Sequence, residues 1–155
     1  MKVIKWKHKL PAGTARNIAV KNSSGDYIMC LDIDDKLASP DVLKKVIDGL
    51  DGKDFYACPF ISRADGKARM IKVENAAQAA SIPVACWTKI VKRHLWVELP
   101  PYMPEDVVPH FLLVDRCSTF GCFGFPVVDY DDTPENKQAM SRTFDWLLEH
   151  PSNLL

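Results

Sequence analysis

The chain has 155 residues, 47% of them hydrophobic, and 20 basic and 20 acidic side chains give it a formal net charge of zero. We predict one folded domain over residues 1–155. Zero net charge disfavours a nucleic-acid-binding protein, and no apolar run approaches the ~20 residues of a membrane span. The five scattered cysteines fit neither a disulfide framework nor a zinc pattern, so we expect reduced thiols and a cytoplasmic location.

The first half of the chain alternates between strand and helix patterns, which is typical of an open α/β sheet. In chain order, the patterns predict an exposed edge strand at 2–7, a helix capped by Thr14 and ending near Asn22, a buried strand at 27–31 and an amphipathic helix at 40–50. The second half predicts a hairpin of 55–61 with 67–73, an extended segment at 84–91, a helix from 104 or 105 to 116, a strand-like segment at 119–130 and a last helix from 134 to about 149.

An acidic loop, Asp32-Ile33-Asp34-Asp35, follows the predicted buried strand. Ligands of open α/β sheets bind beyond the carboxyl ends of strands. If the backbone stays extended, Asp32 and Asp34 point the same way and their carboxylates form a site for Mg²⁺ or Mn²⁺. The alternative is a solvated turn in which Asp34 or Asp35 caps the next segment.

The same loop is similar to the DxDxT motif of haloacid-dehalogenase-like phosphatases. That resemblance implies that Asp32 is a nucleophile, that Asp34 is an acid/base, and that 129–132 forms a late metal cluster. However, Lys36 stands where the motif needs a threonine, and the motif normally lies nearer the N-terminus. The phosphatase is therefore the weaker interpretation.

A stronger resemblance rests on several blocks that occur in a fixed order. The first three are Gly13-Thr14-Ala15-Arg16-Asn17, Ser24-Gly25-Asp26-Tyr27-Ile28 and Leu31-Asp32-Ile33-Asp34-Asp35. Three later blocks are Trp87-Thr88-Lys89-Ile90-Val91-Lys92-Arg93, Pro104-Glu105-Asp106 and Pro126-Val127-Val128-Asp129-Tyr130. In order and spacing these blocks resemble the motifs of family 2 glycosyltransferases.

The resemblance implies a GT-A fold, which is an open mixed sheet flanked by helices. It also implies inverting transfer of a sugar from a nucleotide diphosphate, expected to be UDP, to a hydroxyl group of a glycan or another acceptor. Asp34 would hold Mn²⁺ or Mg²⁺, and Asp32 would contact the ribose or a metal-bound water. Arg16 would bind phosphate or brace the acidic loop, and Asp106 would be the catalytic base.

Each of these residues also has a purely structural interpretation. Arg16 could form a surface salt bridge, and Asp106 could simply lie in the first turn of a helix, where the macrodipole favours an anion. Trp87 and Tyr102 could stack on a sugar ring or merely pack in the core or at its rim.

The chain departs from the family pattern at two places. Only twelve residues precede Gly13, where the family has a first βαβ unit that binds the base, so we expect this unit to be truncated or absent. A homodimer partner could supply the missing part. Asp131 and Asp132 follow Tyr130 and cannot bind a diphosphate. These departures keep a second hypothesis open, a degenerate GT-A module that binds nucleotide or glycan without catalysis.

Overall fold

The computed structural model describes residues 4–5, 7–101 and 105–135. The helices of this part are α1 (Ala12–Lys21), α2 (Val42–Gly49), α3 (Ala76–Ala80) and α4 (Val107–Arg116), with short 3₁₀ turns at Cys86–Thr88 and Arg93–Leu95. Its strands are β1 (Tyr27–Met29), β2 (Lys36–Leu37), β3 (Phe55–Ala57), β4 (Phe60–Ser62), β5 (Ala68–Arg69), β6 (Lys89–Lys92), β7 (Phe120–Cys122) and β8 (Val128–Tyr130). None of these helices is long and apolar enough to cross a membrane.

The strands form two small mixed sheets. The first has the order β1-β6-β3-β7, in which only the β3–β7 pair is parallel. The second has the order β2-β8-β4-β5, in which only the β4–β8 pair is parallel. The chain passes from β3 to β4 through Cys58 and Pro59, and the Val127 N–H donates to the Pro59 carbonyl across 2.7 Å. Proline offers no N–H to a sheet, which suits a position between two strands.

Both faces of the first sheet are covered, because successive residues of a strand point to opposite faces. Phe55, Ala57 and Val91 join the core beneath α3 and α4, and Tyr56 and Ile90 join the core beneath α2. The covered sheet is the scaffold that fixes the ends of β1 and β6, where the candidate site lies.

The predicted α/β architecture and several of its elements are confirmed. The helices at 40–50 and 104–116 correspond to α2 and α4, the buried strand contains β1, and β4 pairs with β5 as a hairpin. The predicted last helix lies outside the described residues from 136 onward.

Three local predictions are wrong. Residues 4, 5 and 7 form no strand, so the described part of 2–7 is not an edge strand. Thr14 does not cap α1, because the helix begins at Ala12 directly after Pro11. The segments 55–61 and 119–130 each break into two strands that belong to different sheets.

Candidate active site

The acidic loop after β1 is a tight turn. The Asp35 N–H donates to the Asp32 carbonyl across 3.2 Å, and Ile33 and Asp34 lie exposed at the tip. The backbone is therefore not extended here, and the condition under which Asp32 and Asp34 would point the same way is not met. Asp32 and Asp34 do not share one environment, since Asp32 is half-buried and Asp34 faces solvent.

Arg16 of α1 joins the acidic loop to the residues that precede α4. Its Nη2 lies 2.6 Å from Asp32 Oδ1, and its Nη1 lies 2.5 Å from Glu105 Oε1. The Glu105 side chain is only 4% exposed, so this is a nearly buried ion pair. A planar guanidinium can donate to two carboxylates at once, which a lysine ammonium cannot do with the same geometry.

The other residues of the first motif hold α1 against the segment that leads towards Glu105. Asn17 Nδ2 donates to the Leu99 carbonyl across 2.8 Å, and the Leu99 N–H donates back to Asn17 Oδ1 across 3.0 Å. Gly13 lies one turn earlier, where a Cβ atom would come within 2.0 Å of the Pro100 carbonyl oxygen. The motif thus packs a glycine, a guanidinium and an amide against one stretch of chain.

Asp106 lies immediately before α4 and is half-buried. It lines a cavity of about 20 Å³, room for about one water molecule, together with three other titratable side chains, Cys86, Lys89 and His110. The rest of the lining is apolar: Trp96, Val97, Leu99, Pro109 and Leu113.

Burial and neighbouring charges shift the pKa of the titratable groups that line this cavity. Burial, and then the negative charge of Glu105, raises the pKa of Asp106. Burial lowers the pKa of Lys89 to about 8. Burial, and then the positive charge of Lys89, lowers the pKa of His110 to about 4. At neutral pH, Lys89 is therefore mostly charged and His110 is neutral.

The acidic side chains of the late run at 129–132 form ion pairs and hydrogen bonds with other groups of the protein. Arg63 pairs with Asp129 and Asp131, each at 3.0 Å, and Asp132 accepts hydrogen bonds from the Ser62 hydroxyl and the Ala64 N–H. In the described residues, no three His, Cys, Asp or Glu side chains are arranged to hold a metal ion. The late cluster that the phosphatase interpretation needs is therefore a salt-bridge network around Arg63.

Buried Asp35 belongs to the same end of the sheet. Its Oδ1 accepts the Asp131 N–H across 2.9 Å, which ties the turn after β1 to the end of β8. Burial raises the pKa of Asp35 to about 6.

The structure thus brings Arg16, Asp32 and Glu105 together and leaves Asp34 at the exposed tip of the adjoining turn. Trp87 is 3% exposed and packs on Phe60 and Tyr130, so it is a core residue and not a sugar-stacking platform. Tyr102 lies outside the described residues.

Sequence reasoning missed Glu105 as the partner of Arg16 and missed Lys89 and His110 as neighbours of Asp106. Glu105 and Lys89 stand inside two of the motif blocks that carry the family resemblance. His110 carried no sequence signal, because a single histidine within a predicted helix has no special pattern.

A comparison with known protein families shows to which family the chain belongs. The model of "Glycosyl transferase family 2" matches residues 1–129, which is most of the sequence. The chain belongs to glycosyl transferase family 2. Comparison with the curated proteins gave no match.

Solved structures of S. aureus TarS resemble this family 2 chain. A 1–349 form in complex with UDP-GlcNAc has a TM-score of 0.72 at 15% identity, over 84% of this chain and 42% of that one. A second structure of the 1–349 form has a TM-score of 0.61 at 14% identity, over 77% of this chain and 40% of that one. Another TarS structure has a TM-score of 0.64 at 17% identity, over 87% of this chain and 27% of that one.

These likenesses show the GT-A fold that the sequence motifs predicted. The chain spans less than half the length of each of these TarS chains. The phosphatase interpretation has no support, because the family is different and Asp32, its proposed nucleophile, is ion-paired with Arg16.

Proposed function

We propose that this chain carries out sugar transfer from a UDP-linked donor to a hydroxyl group of a glycan or another acceptor, with inversion and with the help of a divalent metal ion. The observation that carries the proposal is the Arg16 fork, which binds Asp32 at the end of β1 and Glu105 beside Asp106. One guanidinium thus links the donor-side motif to the acceptor-side motif. UDP-GlcNAc bound to the TarS neighbour supports a uridine nucleotide-sugar as the donor.

The donor end of the proposed site consists of the acidic turn and Arg16. Mg²⁺ and Mn²⁺ bind through one or two carboxylates, with substrate phosphates and water completing the shell. The exposed carboxylate of Asp34 fits that role, and Arg16 would direct the half-buried Asp32 to the ribose or to a metal-bound water. When bound, the ion would neutralise the charge that develops on the departing diphosphate.

The acceptor end is Asp106, which we assign as the general base. Its raised pKa gives it a stronger affinity for a proton than an exposed aspartate has. It takes the proton of the acceptor hydroxyl as that oxygen bonds to the anomeric carbon and the bond to the diphosphate oxygen breaks. Attack on the face opposite the leaving group inverts the anomeric centre.

The second candidate is a non-catalytic GT-A module that binds nucleotide or glycan. It is favoured by the network at 129–132, where Asp131 and Asp132 follow Tyr130 and would repel a diphosphate. For either candidate, we also propose that residues 1–155 form a single domain and that the protein is cytoplasmic. The sequence supports a cytoplasmic location in that its five scattered cysteines form no disulfide framework.

Replacement of Asp106 separates the two candidates. The Asp106→Asn variant should bind UDP-GlcNAc with a Kd within about threefold of wild type, while UDP release falls by about 10²–10⁴-fold. Asp115→Asn, at an exposed position near the other end of α4, is the matched control and should keep both properties. Donor binding with no UDP release above background in the wild type would favour the non-catalytic module.

A further inference from the structure

Lys89 is a charged side chain inside the protein. It lies on β6, is 6% exposed, and its Nζ donates hydrogen bonds to the carbonyls of Val84 at 2.8 Å and Ala85 at 2.7 Å. An ammonium group has three N–H donors and no acceptor. Among the described residues, these two carbonyls use two of the donors, so one N–H is left for another partner.

Lys89 also lines the small cavity beside α4. Lys89 and Asp106 both line this cavity of about 20 Å³, which has room for about one water, and among the described residues the two side chains form no direct ion pair. A buried cation and a half-buried anion attract each other far more strongly here than in water, because the surroundings screen them less.

The other titratable groups around the cavity do not replace Lys89. Glu105 repels the Asp106 carboxylate, and Arg16 is already held by two carboxylates. His110 is neutral at pH 7, because its pKa lies near 4. The thiol of Cys86 is also neutral, because a hydrogen bond with Cys30 and burial raise its pKa.

We propose that Lys89 is a positioning residue whose positive charge, acting across the cavity, orients the Asp106 carboxylate and keeps it ionised. The proposal rests on the proposed role of Asp106 as the base. Lys89 is not itself placed on a substrate. It acts through Asp106, from a strand that is fixed on both sides by β1 and β3.

The proposal predicts how the rate depends on pH. Removal of the Lys89 charge raises the pKa of Asp106 further, since a nearby cation favours a carboxylate. In Lys89→Met, the acidic limb of the kcat/KM profile should therefore move to higher pH by about one unit or more. The Kd for UDP-GlcNAc should stay within about threefold. Lys92→Met, on the same strand but paired with Asp54, is the matched control and should keep the wild-type profile.

A second readout does not depend on turnover. In protein labelled with ¹³C,¹⁵N-lysine, NMR titration should give Lys89 a lower pKa in Asp106→Asn than in wild type, by about one unit, because the anion that favours the charged lysine is gone. This measurement carries the test even if Lys89→Met does not fold.

The outcomes separate this proposal from the proposed function. A Lys89 pKa that is the same in wild type and Asp106→Asn overturns the positioning role, as does an unchanged pH profile in folded Lys89→Met. If no variant and no wild-type sample shows turnover, the enzymatic proposal fails, while a shifted Lys89 pKa still supports the coupling of Lys89 to Asp106.

Discussion

Arg16 bridges carboxylates that are far apart in the sequence, since Glu105 is 89 positions away from it. Arg16→Ala leaves the Glu105 carboxylate buried and unpaired. Removal of one partner of a buried ion pair typically lowers the free energy of unfolding by about 3–5 kcal/mol. Because Asp32 is partly exposed, we expect Arg16→Ala to lower it by about 2–4 kcal/mol. Urea unfolding followed by circular dichroism measures it.

The control for Arg16 is an exposed arginine that also pairs with a carboxylate. Arg69 contacts Asp65 at 2.6 Å, but both side chains are more than one-third exposed. Arg69→Ala should therefore change the free energy of unfolding by less than about 1 kcal/mol. Equal losses in the two variants would contradict the bridging role of Arg16.

Gly13 tests the close approach of α1 to the segment that leads towards the base. In Gly13→Ala, the new Cβ would meet the Pro100 carbonyl oxygen, which is backbone and cannot swing away. We expect the free energy of unfolding to fall by about 1–3 kcal/mol, because the helix must shift to make room. Gly124→Ala is the control, since nothing lies within 4 Å of its added Cβ, and it should be neutral or slightly stabilising. Thermal melts of both proteins decide the point.

At the scale of elements, α4 matters because it begins directly after Asp106. Leu113 of this helix is 4% exposed and packs in the core, whereas its neighbour Leu112 is 49% exposed. Leu113→Ala should cost about 2–5 kcal/mol, and Leu112→Ala should stay within about 1 kcal/mol. The reverse order of losses in denaturant unfolding would mean that α4 presents a different face to the sheet.

The elements that the sequence predicted well are those with a strong local pattern. In α2, apolar residues recur at helical spacing, and β1 is an apolar run between a turn and a charged loop. The division of 55–61 between two sheets was not predictable in this way. It depends on the pairing of β3 with β7 and of β4 with β8, and those partners come from distant parts of the chain.

At the scale of the whole molecule, the site was only partly predictable from the sequence. The motif order indicated that Arg16, Asp32 and Asp106 belong to one region. It could not indicate that the turn at 32–35 separates Asp34 from Asp32, because that geometry depends on a backbone hydrogen bond within the turn and on contacts with residues far along the chain. Nor could it place Lys89 and Asp106 at one cavity, since this cavity forms only when β6 and α4 pack together.

The stability of the whole protein should fall on the acid side partly because of His110. The folded-state pKa of His110, about 4, lies below its ordinary value of 6.5, so the unfolded chain binds more protons between these pH values. Stability is therefore lost as pH falls from about 6.5 to 4. In His110→Gln this part of the pH dependence should disappear, and urea unfolding of both proteins at several pH values measures the difference. Parallel curves would contradict a neutral, buried His110.

Homodimerisation remains a prediction of the sequence analysis. Sedimentation velocity across a range of concentrations, with and without UDP-GlcNAc, measures it directly. A single monomeric species under all conditions would exclude a partner chain from the site.

The most direct test of the account is the melting temperature of the protein with UDP, GDP or ADP, each with and without Mn²⁺. We predict a rise that requires both UDP and Mn²⁺, corresponding to about 2.7 kcal/mol at a ligand concentration of 100 times Kd. The rise should disappear in Asp34→Ala and persist in Asp48→Ala, the control at an exposed carboxylate of α2. Folded wild-type protein whose melting temperature responds to no nucleotide would contradict the donor site at the end of β1.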